Sequence, residues 1–125
     1  MCKTLIVEDN PSFRQLLKGI LDSRFPSMEI FEDPDGKEVL QKVDSLRPDL
    51  IFMDIQLPGE NGLQLAKKIK GIDPNVTIII LTSYDIPEYR EAAFQSGANH
   101  FITKNSSTRE FLALVESILS DLGLN

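Results

Sequence analysis

Apolar residues along the chain form short runs that alternate with longer amphipathic stretches. The runs contain four to six residues, are rich in branched side chains, and end at acidic or turn-forming segments. Between them, apolar residues recur three and four positions apart, which is typical of a helix with one buried face. The pattern predicts five strands, each followed by a helix. The predicted strands are Lys3–Val7, 28–32, Leu50–Met53, 76–81 and His100–Thr103.

Capping residues indicate where two of the helices begin and end. Asn10 can cap the first helix, since its side-chain oxygen can accept a backbone N–H, and Pro11 is tolerated at the first helical position. The second helix is predicted to begin at Asp35 and to end before Pro48. We expect the first helix to bury one face made of Phe13, Leu16, Leu17, Ile20 and Leu21, and the second to bury Val39, Leu40, Val43 and Leu46.

The last helix begins with a capping box formed by Ser107 and Glu110. A fourth helix is predicted over residues 88–95, before a Ser96-Gly97 stop. The third helix is expected to bury Leu65, Ala66, Ile69 and Ile72, and the last to bury Phe111, Leu112, Val115, Ile118, Leu119 and Leu122.

Alternating strands and helices predict an α/β protein. Successive βαβ units have right-handed crossovers and give a parallel sheet that is covered on both faces. Strands three and four are the most apolar and belong in the centre, whereas the alternating second strand and the short fifth strand belong at the edges. This arrangement fits the doubly wound strand order 2-1-3-4-5, with strand one beside strand three.

Composition narrows the class of protein. A chain of 125 residues fits one domain, and its net charge of −6 argues against direct binding of nucleic acid. The single cysteine, Cys2, excludes an internal disulfide, and we expect it to be a terminal thiol without a role. The chain shows no secretion signal, and no window approaches the roughly 18 apolar residues of a membrane span. We therefore expect a cytoplasmic protein with no membrane contact.

Chemically active side chains follow four of the predicted strands. Glu8 and Asp9 follow the first strand, Asp54 the third, Thr82 the fourth and Lys104 the fifth. In a doubly wound sheet the functional crevice lies outside the carboxyl ends of the strands, at the point where strand order reverses. Three carboxylates at one point repel each other, and Mg²⁺, which prefers carboxylate, water and phosphate oxygens, can neutralise them.

Asp54 is placed to act as a nucleophile towards phosphorus. Thr82 and Lys104 supply a hydroxyl and an ammonium, the donors that a tetrahedral anion needs on the side away from the metal. Phosphoryl transfer requires little beyond in-line positioning and charge stabilisation. The sequence therefore predicts that Asp54 is phosphorylated. Each residue alone is also compatible with a cap, a turn or a solvated charge, so the prediction depends on the combination.

Four motifs resemble the receiver domain of two-component response regulators. They are "LIVEDN" (5–10), "PDLIFMDIQLPGENGLQL" (48–65), "IIILTSYD" (78–85) and "SGANHFITK" (96–104). The resemblance implies a single flavodoxin-like (βα)5 domain over residues 1–125. It also implies that Asp54 accepts a phosphoryl group from a sensor histidine kinase or a phosphotransfer protein. The implied metal is Mg²⁺, held by Glu8, Asp9, Asp54 and the backbone carbonyl of Gln56.

The resemblance also implies a switch. Lys104 would pair with the phosphoryl oxygens, and Thr82 would hydrogen-bond to them while Phe101 turns inward behind it. The surface of the fourth helix, fifth strand and fifth helix would then bind a partner or a second copy of the chain. The resemblance implies a regulatory role and not an enzymatic one. Transcription is one process that such a domain would regulate. Gln56 and Tyr84 would flank the path of attacking water and influence the lifetime of the phosphoryl group.

One position departs from the family. Proline commonly follows the lysine in receiver domains, and here Asn105 follows Lys104. We expect the departure to leave the fold intact and to change the local path of the loop into the last helix.

Three other functions deserve comparison. A haloacid-dehalogenase-like phosphatase also uses an aspartate nucleophile, but its general acid lies two residues further on, where this chain has Gln56. An FMN-binding protein would cradle phosphate with a Ser-, Thr- and Gly-rich first loop, whereas "EDNPS" (8–12) is acidic. A degenerate receiver, which binds partners without phosphorylation, is disfavoured because Thr82, Lys104 and all three acids are present.

Overall fold

The computed structural model describes residues 2–124, in which five strands alternate with five helices. The strands form one parallel sheet in the order β2-β1-β3-β4-β5, which confirms the predicted doubly wound, flavodoxin-like α/β topology. The elements are β1 (Lys3–Val7), α1 (Pro11–Arg24), β2 (Glu29–Asp33), α2 (Val39–Leu46), β3 (Leu50–Met53), α3 (Gly62–Ile72), β4 (Thr77–Thr82), α4 (Pro87–Gln95), β5 (His100–Thr103) and α5 (Thr108–Asp121).

The sheet separates two apolar layers. Because successive side chains of a strand point to opposite faces, Ile51 of β3 packs with helices α2, α3 and α4, whereas Phe52 packs with α1 and α5. The Phe52 ring meets the Phe111 ring of α5 with centroids 5.6 Å apart. Every residue of β3 and β4 is buried, as expected for central strands covered on both faces. None of the helices within residues 2–124 is both long and apolar enough to cross a bilayer.

Two predicted caps are present. The side-chain oxygen of Asn10 accepts a hydrogen bond from Phe13 N at 3.1 Å, and Pro11 occupies the first position of α1. The hydroxyl of Ser107 accepts from Glu110 N at 3.1 Å at the start of α5, which is the serine half of the predicted capping box. Within residues 2–124, the reciprocal bond from Ser107 N to the Glu110 side chain is not formed. The N–H groups of a first helical turn have no partners within the helix, so these side chains supply them and fix where each helix begins.

The second helix begins later than predicted, at Val39 instead of Asp35. The buried carboxylate of Asp33 accepts hydrogen bonds from Asp35 N at 3.1 Å and from Gly36 N at 2.8 Å. Gly36 has a φ of +82°, which an L side chain rarely adopts and a helix does not contain. The segment after β2 is therefore a turn organised by Asp33, and the helix follows it.

Three expectations about burial were wrong. Leu16 of α1 and Leu122 after α5 are 58% and 42% exposed, because no other element packs over those positions. Cys2 is buried against the core instead of lying at a mobile terminus, and its sulfur is 3.6 Å from Thr4 Oγ1. Burial raises the pKa of this thiol.

Strands β2 and β4 each begin and end one residue later than predicted.

Candidate functional site

The candidate site lies where the carboxyl ends of the parallel strands come together, which we call the carboxyl edge of the sheet. The registers align Val7 with Met53 and Thr82 with Thr103, so the residues that follow these strands lie side by side. Backbone hydrogen bonds extend the alignment by one residue, from Asp54 N to Val7 O at 3.1 Å and from Lys104 N to Thr82 O at 2.8 Å. The positions of the site are thus set by the ladder of the sheet and not by mobile loops.

Three carboxylates converge at this edge. Oxygen atoms of Glu8, Asp9 and Asp54 all lie within 4.8 Å of one another. Glu8 and Asp54 are buried, and Asp9 is exposed. With Lys104 the four side chains carry three negative charges and one positive charge, a formal sum of −2 when all are ionised. This surplus and the oxygen-only donor set are what a hard divalent cation requires.

Lys104 is the cation that joins two of the acids. Its Nζ lies 2.6 Å from Glu8 Oε1 and 3.1 Å from Asp54 Oδ2, and it stands 4.5 Å from the centre of the Phe13 ring. Burial opposes the charge of Lys104, but the hydrogen bonds and charges of the two acids outweigh burial and raise its pKa above the ordinary lysine value. Burial also raises the pKa of Glu8, and hydrogen bonds from Lys104 and Asn10 N offset part of that rise.

The loop after β3 holds Asp54 in place. Asp54 Oδ1 accepts from Gln56 N at 3.4 Å, and Gly62 N donates to Ile55 O at 2.7 Å. A Cβ on Gly62 would lie 1.9 Å from the backbone oxygen of Asp54, so only glycine permits this approach of α3 to the strand end. Asn61 caps α3 by accepting from Leu63 N at 2.7 Å. The first turn of α3 thereby fixes the backbone of Asp54.

Thr82 is buried at the end of β4, and Gln56 and Tyr84 are exposed beyond the ends of β3 and β4. Thr82 is fully buried, and its hydroxyl accepts from Tyr84 N at 3.3 Å. Tyr84 is 43% exposed, and its ring meets Tyr89 edge-on with centroids 5.9 Å apart. Gln56 is exposed as well. Gln56 and Tyr84 therefore border the crevice from solvent, on the sides of β3 and β4.

Phe101 lies inward. It is 8% exposed and packs in the apolar layer beside α4, with the guanidinium carbon of Arg90 4.7 Å from the centre of its ring. Arg90 also pairs with Asp85 at 3.5 Å. The guanidinium of Arg90 thus makes a cation–π contact with the Phe101 ring, which the sequence did not predict.

The segment after Lys104 forms a tight turn without proline. Ser106 N donates to Thr103 O at 3.1 Å, and the hydroxyls of Thr103 and Ser106 lie 3.2 Å apart. Asn105 occupies the exposed corner of this turn. Hydrogen bonds from serine and threonine therefore define the path into α5, where the family commonly has a rigid proline.

Sequence reasoning missed Arg14, which reaches the site from α1. Its Nη1 donates to the backbone oxygen of Glu8 at 2.8 Å, and its Nε donates to Glu32 Oε1 at 3.1 Å. The only available signal was its position four residues after Asn10, one turn into the helix. That position fits any solvated arginine, since the partner on β2 lies 18 residues away.

Comparison with known sequences agrees with this architecture. A family model described as the response regulator receiver domain matches residues 4–116. The chain is 35% identical to the DNA-binding transcriptional regulator NtrC of Escherichia coli K12 across 92% of this chain and 24% of NtrC. It is also 35% identical to the aerobic respiration control protein ArcA of the same strain, across 93% of this chain and 48% of ArcA. The chain thus spans about a quarter of the length of NtrC and about half of the length of ArcA.

Solved structures show the same fold. A two-component response regulator from Clostridium difficile superimposes with a TM-score of 0.90 at 27% identity, covering 98% of both chains. The BeF3-activated N-terminal receiver domain of Klebsiella pneumoniae RstA gives a TM-score of 0.86 at 28% identity, covering 94% of this chain and 97% of that one. By family match, fold and relatives, the chain belongs to the receiver domains of two-component response regulators.

Proposed function

We propose that residues 1–125 form a single receiver domain that accepts a phosphoryl group on Asp54 from a sensor histidine kinase or a phosphotransfer protein. The observation that carries the proposal is the environment of Asp54. Its carboxylate is buried, lies 3.1 Å from the ammonium of Lys104, and shares the carboxyl edge of the sheet with two further acids. A nucleophile beside a fixed cation and a surplus of negative charge is suited to phosphoryl transfer assisted by a metal.

The donor set fits Mg²⁺. Glu8, Asp9 and Asp54 would supply carboxylate oxygens, and the backbone carbonyl of Gln56 would supply a fourth. A bound Mg²⁺ would neutralise the charge on the transferring phosphoryl oxygens. The formal charge of −2 in the protein supports a divalent ion over a monovalent one.

The chain's own residues divide the transfer step between them. A carboxylate oxygen of Asp54 attacks phosphorus and forms the new P–O bond. The P–N bond to the donor imidazole breaks, and the leaving nitrogen keeps the bonding electrons and takes up a proton. Lys104 already contacts Asp54 and can pair with the phosphoryl oxygens without a long displacement. Because Asp54 is buried, the phosphoryl donor can approach its carboxylate only from the open crevice.

The proposed output is a change at the surface of α4, β5 and α5. The Thr82 hydroxyl now accepts from Tyr84 N, and its proton would be donated in a charge-assisted hydrogen bond to a phosphoryl oxygen on Asp54, which would draw Thr82 towards the site. Phe101 lies on β5, which pairs with the β4 strand of Thr82, and its ring is already inward, so we propose that movement of Thr82 towards the phosphoryl group stabilises this inward position. We expect this change to alter partner binding or homodimer formation, and we expect Gln56 and Tyr84 at the rim to tune hydrolysis of the acyl phosphate.

We propose a regulatory role instead of substrate turnover. The residue two positions after Asp54 is Gln56, which cannot act as the general acid of a haloacid-dehalogenase-like phosphatase. The relatives NtrC and ArcA carry the names of transcriptional and respiratory regulators. We propose a cytoplasmic domain that receives the signal without binding nucleic acid itself, either as a freestanding protein or within a longer regulator.

Intact-mass spectrometry after incubation with acetyl phosphate tests the proposal. Wild-type protein should gain one phosphoryl group in Mg²⁺ and none in EDTA, and Asp54→Asn should gain none in either. Asp44→Asn is the matched control, because it removes an exposed carboxylate from α2 and should retain the adduct. A folded wild-type protein that forms no adduct with several small phosphoryl donors would instead support a degenerate receiver that acts by binding alone.

A further inference from the structure

Arg14 connects the acidic site to the neighbouring strand. Its guanidinium donates from Nη1 to the backbone oxygen of Glu8 at 2.8 Å and from Nε to Glu32 Oε1 at 3.1 Å. Its side chain is only 16% exposed. Glu32 pairs with Ile6 across the β1–β2 ladder, so it belongs to the rigid sheet. One side chain of α1 therefore joins the end of β1 to β2 through a planar fork of donors.

The backbone oxygen of Glu8 belongs to the peptide that joins Glu8 to Asp9. The Glu8 side chain is separately held, because its two carboxylate oxygens contact Lys104 Nζ at 2.6 Å and Asn10 N at 3.0 Å. Asp9 is exposed, and the peptide whose oxygen Arg14 holds includes the backbone nitrogen of Asp9, so it constrains where the Asp9 side chain starts. The bond from Arg14 thus acts on the acid that the sheet positions least.

We propose that Arg14, held by Glu32, is a positioning residue for Mg²⁺ binding, because it orients the Glu8–Asp9 peptide and with it the carboxylate of Asp9. This inference rests on the proposed function of the acidic site. Groups that hold metal ligands in place without touching the metal commonly contribute ten- to a hundred-fold in metal affinity.

The sign of the effect separates positioning from simple electrostatics. Arg14 is a positive charge close to an acidic site, so its Coulomb repulsion of Mg²⁺ should weaken binding. Removing that charge should therefore tighten Mg²⁺ binding if charge is all that matters. If Arg14 positions Asp9, its removal should weaken binding despite the lost repulsion.

The experiment measures the Mg²⁺ dissociation constant by isothermal titration calorimetry for the wild type, Arg14→Gln and Arg14→Lys. We expect Arg14→Gln to raise the constant about ten-fold. Arg14→Lys keeps the charge but offers one compact ammonium in place of a planar fork, so it should recover only part of the affinity. Circular dichroism and urea unfolding establish that each variant is folded under the conditions of the titration.

Lys18→Gln is the matched control. Lys18 lies one turn further along α1 and pairs with the same Glu32 carboxylate at 3.4 Å, but in the part of the chain that the structure describes its ammonium does not contact Glu8. Lys18→Gln removes one positive charge beside Glu32, as Arg14→Gln does. We expect its Mg²⁺ affinity to be unchanged or slightly tighter. Asp9→Ala is the reference for complete loss of one metal ligand.

The outcomes distinguish this inference from the function on which it depends. A folded wild-type protein that does not bind Mg²⁺ contradicts the proposed function itself. Wild-type binding that Asp9→Ala weakens, together with equal constants for Arg14→Gln and Lys18→Gln, overturns the role of Arg14 and leaves the metal site intact. If Arg14→Gln does not fold, Arg14→Lys decides, since wild-type affinity in that variant also overturns the role.

Discussion

The two edges of the sheet use polar side chains in opposite ways. At the amino edge, where the amino ends of the strands lie, polar side chains supply hydrogen-bond partners for backbone groups. Asp49 Oδ2 accepts from Lys3 N at 2.9 Å, and Asn99 Oδ1 accepts from Ile78 N at 2.9 Å and from Lys70 Nζ at 3.0 Å. Each of these groups has a partner of complementary character, so the amino edge stabilises the fold.

At the carboxyl edge the polar side chains face one another. Glu8, Asp9 and Asp54 bring like charges within 4.8 Å, and one ammonium, that of Lys104, offsets part of the repulsion. An arrangement that is unfavourable without a further cation contributes less to stability than the same residues would elsewhere. The contrast shows that like charges are concentrated at the carboxyl edge and paired with complementary groups at the amino edge. Substitutions of the polar side chains at the two edges should therefore separate stability from metal and phosphoryl binding, whereas substitutions of tightly packed backbone should affect stability at either edge.

The largest expected effect is at Gly62, where α3 begins at the carboxyl edge. Gly62→Ala should destabilise the protein by about 4 kcal/mol or prevent folding, because the added Cβ would lie 1.9 Å from the backbone oxygen of Asp54. Gly71→Ala, near the other end of α3, meets nothing within 4 Å and should stabilise the protein by about 0.5–1 kcal/mol. Urea unfolding measures both, and a Gly62→Ala protein as stable as wild type would contradict the prediction.

An intermediate effect is expected at Lys70, at the amino edge. Lys70→Met removes donors to Asn99 Oδ1 and to the backbone oxygen of Val76, and should lower the free energy of unfolding by about 1–2 kcal/mol. The yield of phosphoryl adduct and the Mg²⁺ affinity should stay unchanged. Lys67→Met, on the exposed face of the same helix, should stay within about 0.5 kcal/mol of wild type. A loss of Mg²⁺ affinity in Lys70→Met would break the distinction between the edges.

The smallest expected effect is a pH dependence of the free energy of unfolding. It arises from His100, the first residue of β5, at the amino edge. Burial lowers the pKa of His100, and the charge of Asp121 offsets part of that shift. The unfolded chain therefore binds the proton more readily than the folded chain. The contribution of His100 to stability is complete above about pH 6.5 and is lost as the pH falls through the lower folded pKa.

His100→Gln should remove this component of the pH dependence. The measurement is urea unfolding of wild type and variant at a series of pH values from about 7.5 to about 5. We expect the difference in free energy of unfolding between the two proteins to change across that range. A constant difference would show that His100 titrates alike in the folded and unfolded chains.

Much of the fold could be predicted because it depends on local patterns. The strand order followed from comparing how apolar each run is, since the uniformly apolar runs became the fully buried β3 and β4 and the more polar run became the partly exposed edge strand β2. The convergence of Glu8, Asp9, Asp54 and Lys104 then followed from the parallel topology alone. Their catalytic and metal-binding roles remain predictions.

The remainder depends on contacts between distant parts of the chain. The exposure of Leu16 and Leu122 depends on which helices cover α1 and α5, which periodicity does not encode. The start of α2 depends on where the carboxylate of Asp33 finds its donors. Long side chains were the hardest to predict, because Arg14 and Lys70 reach partners 18 and 29 residues away in sequence.

The strand order also affects how the chain is made. Strand β1 pairs on one side with β2 and on the other with β3, where Thr4 aligns with Leu50, 46 residues later. At a synthesis rate of about 5–20 residues per second, β3 leaves the ribosome about 2–9 s after β1. During that interval β1 can pair with β2, but its other side, where β3 will bind, has no partner and can pair with another nascent chain. The strand that precedes Glu8 and Asp9 therefore waits for its second neighbour through almost two further strand-helix units.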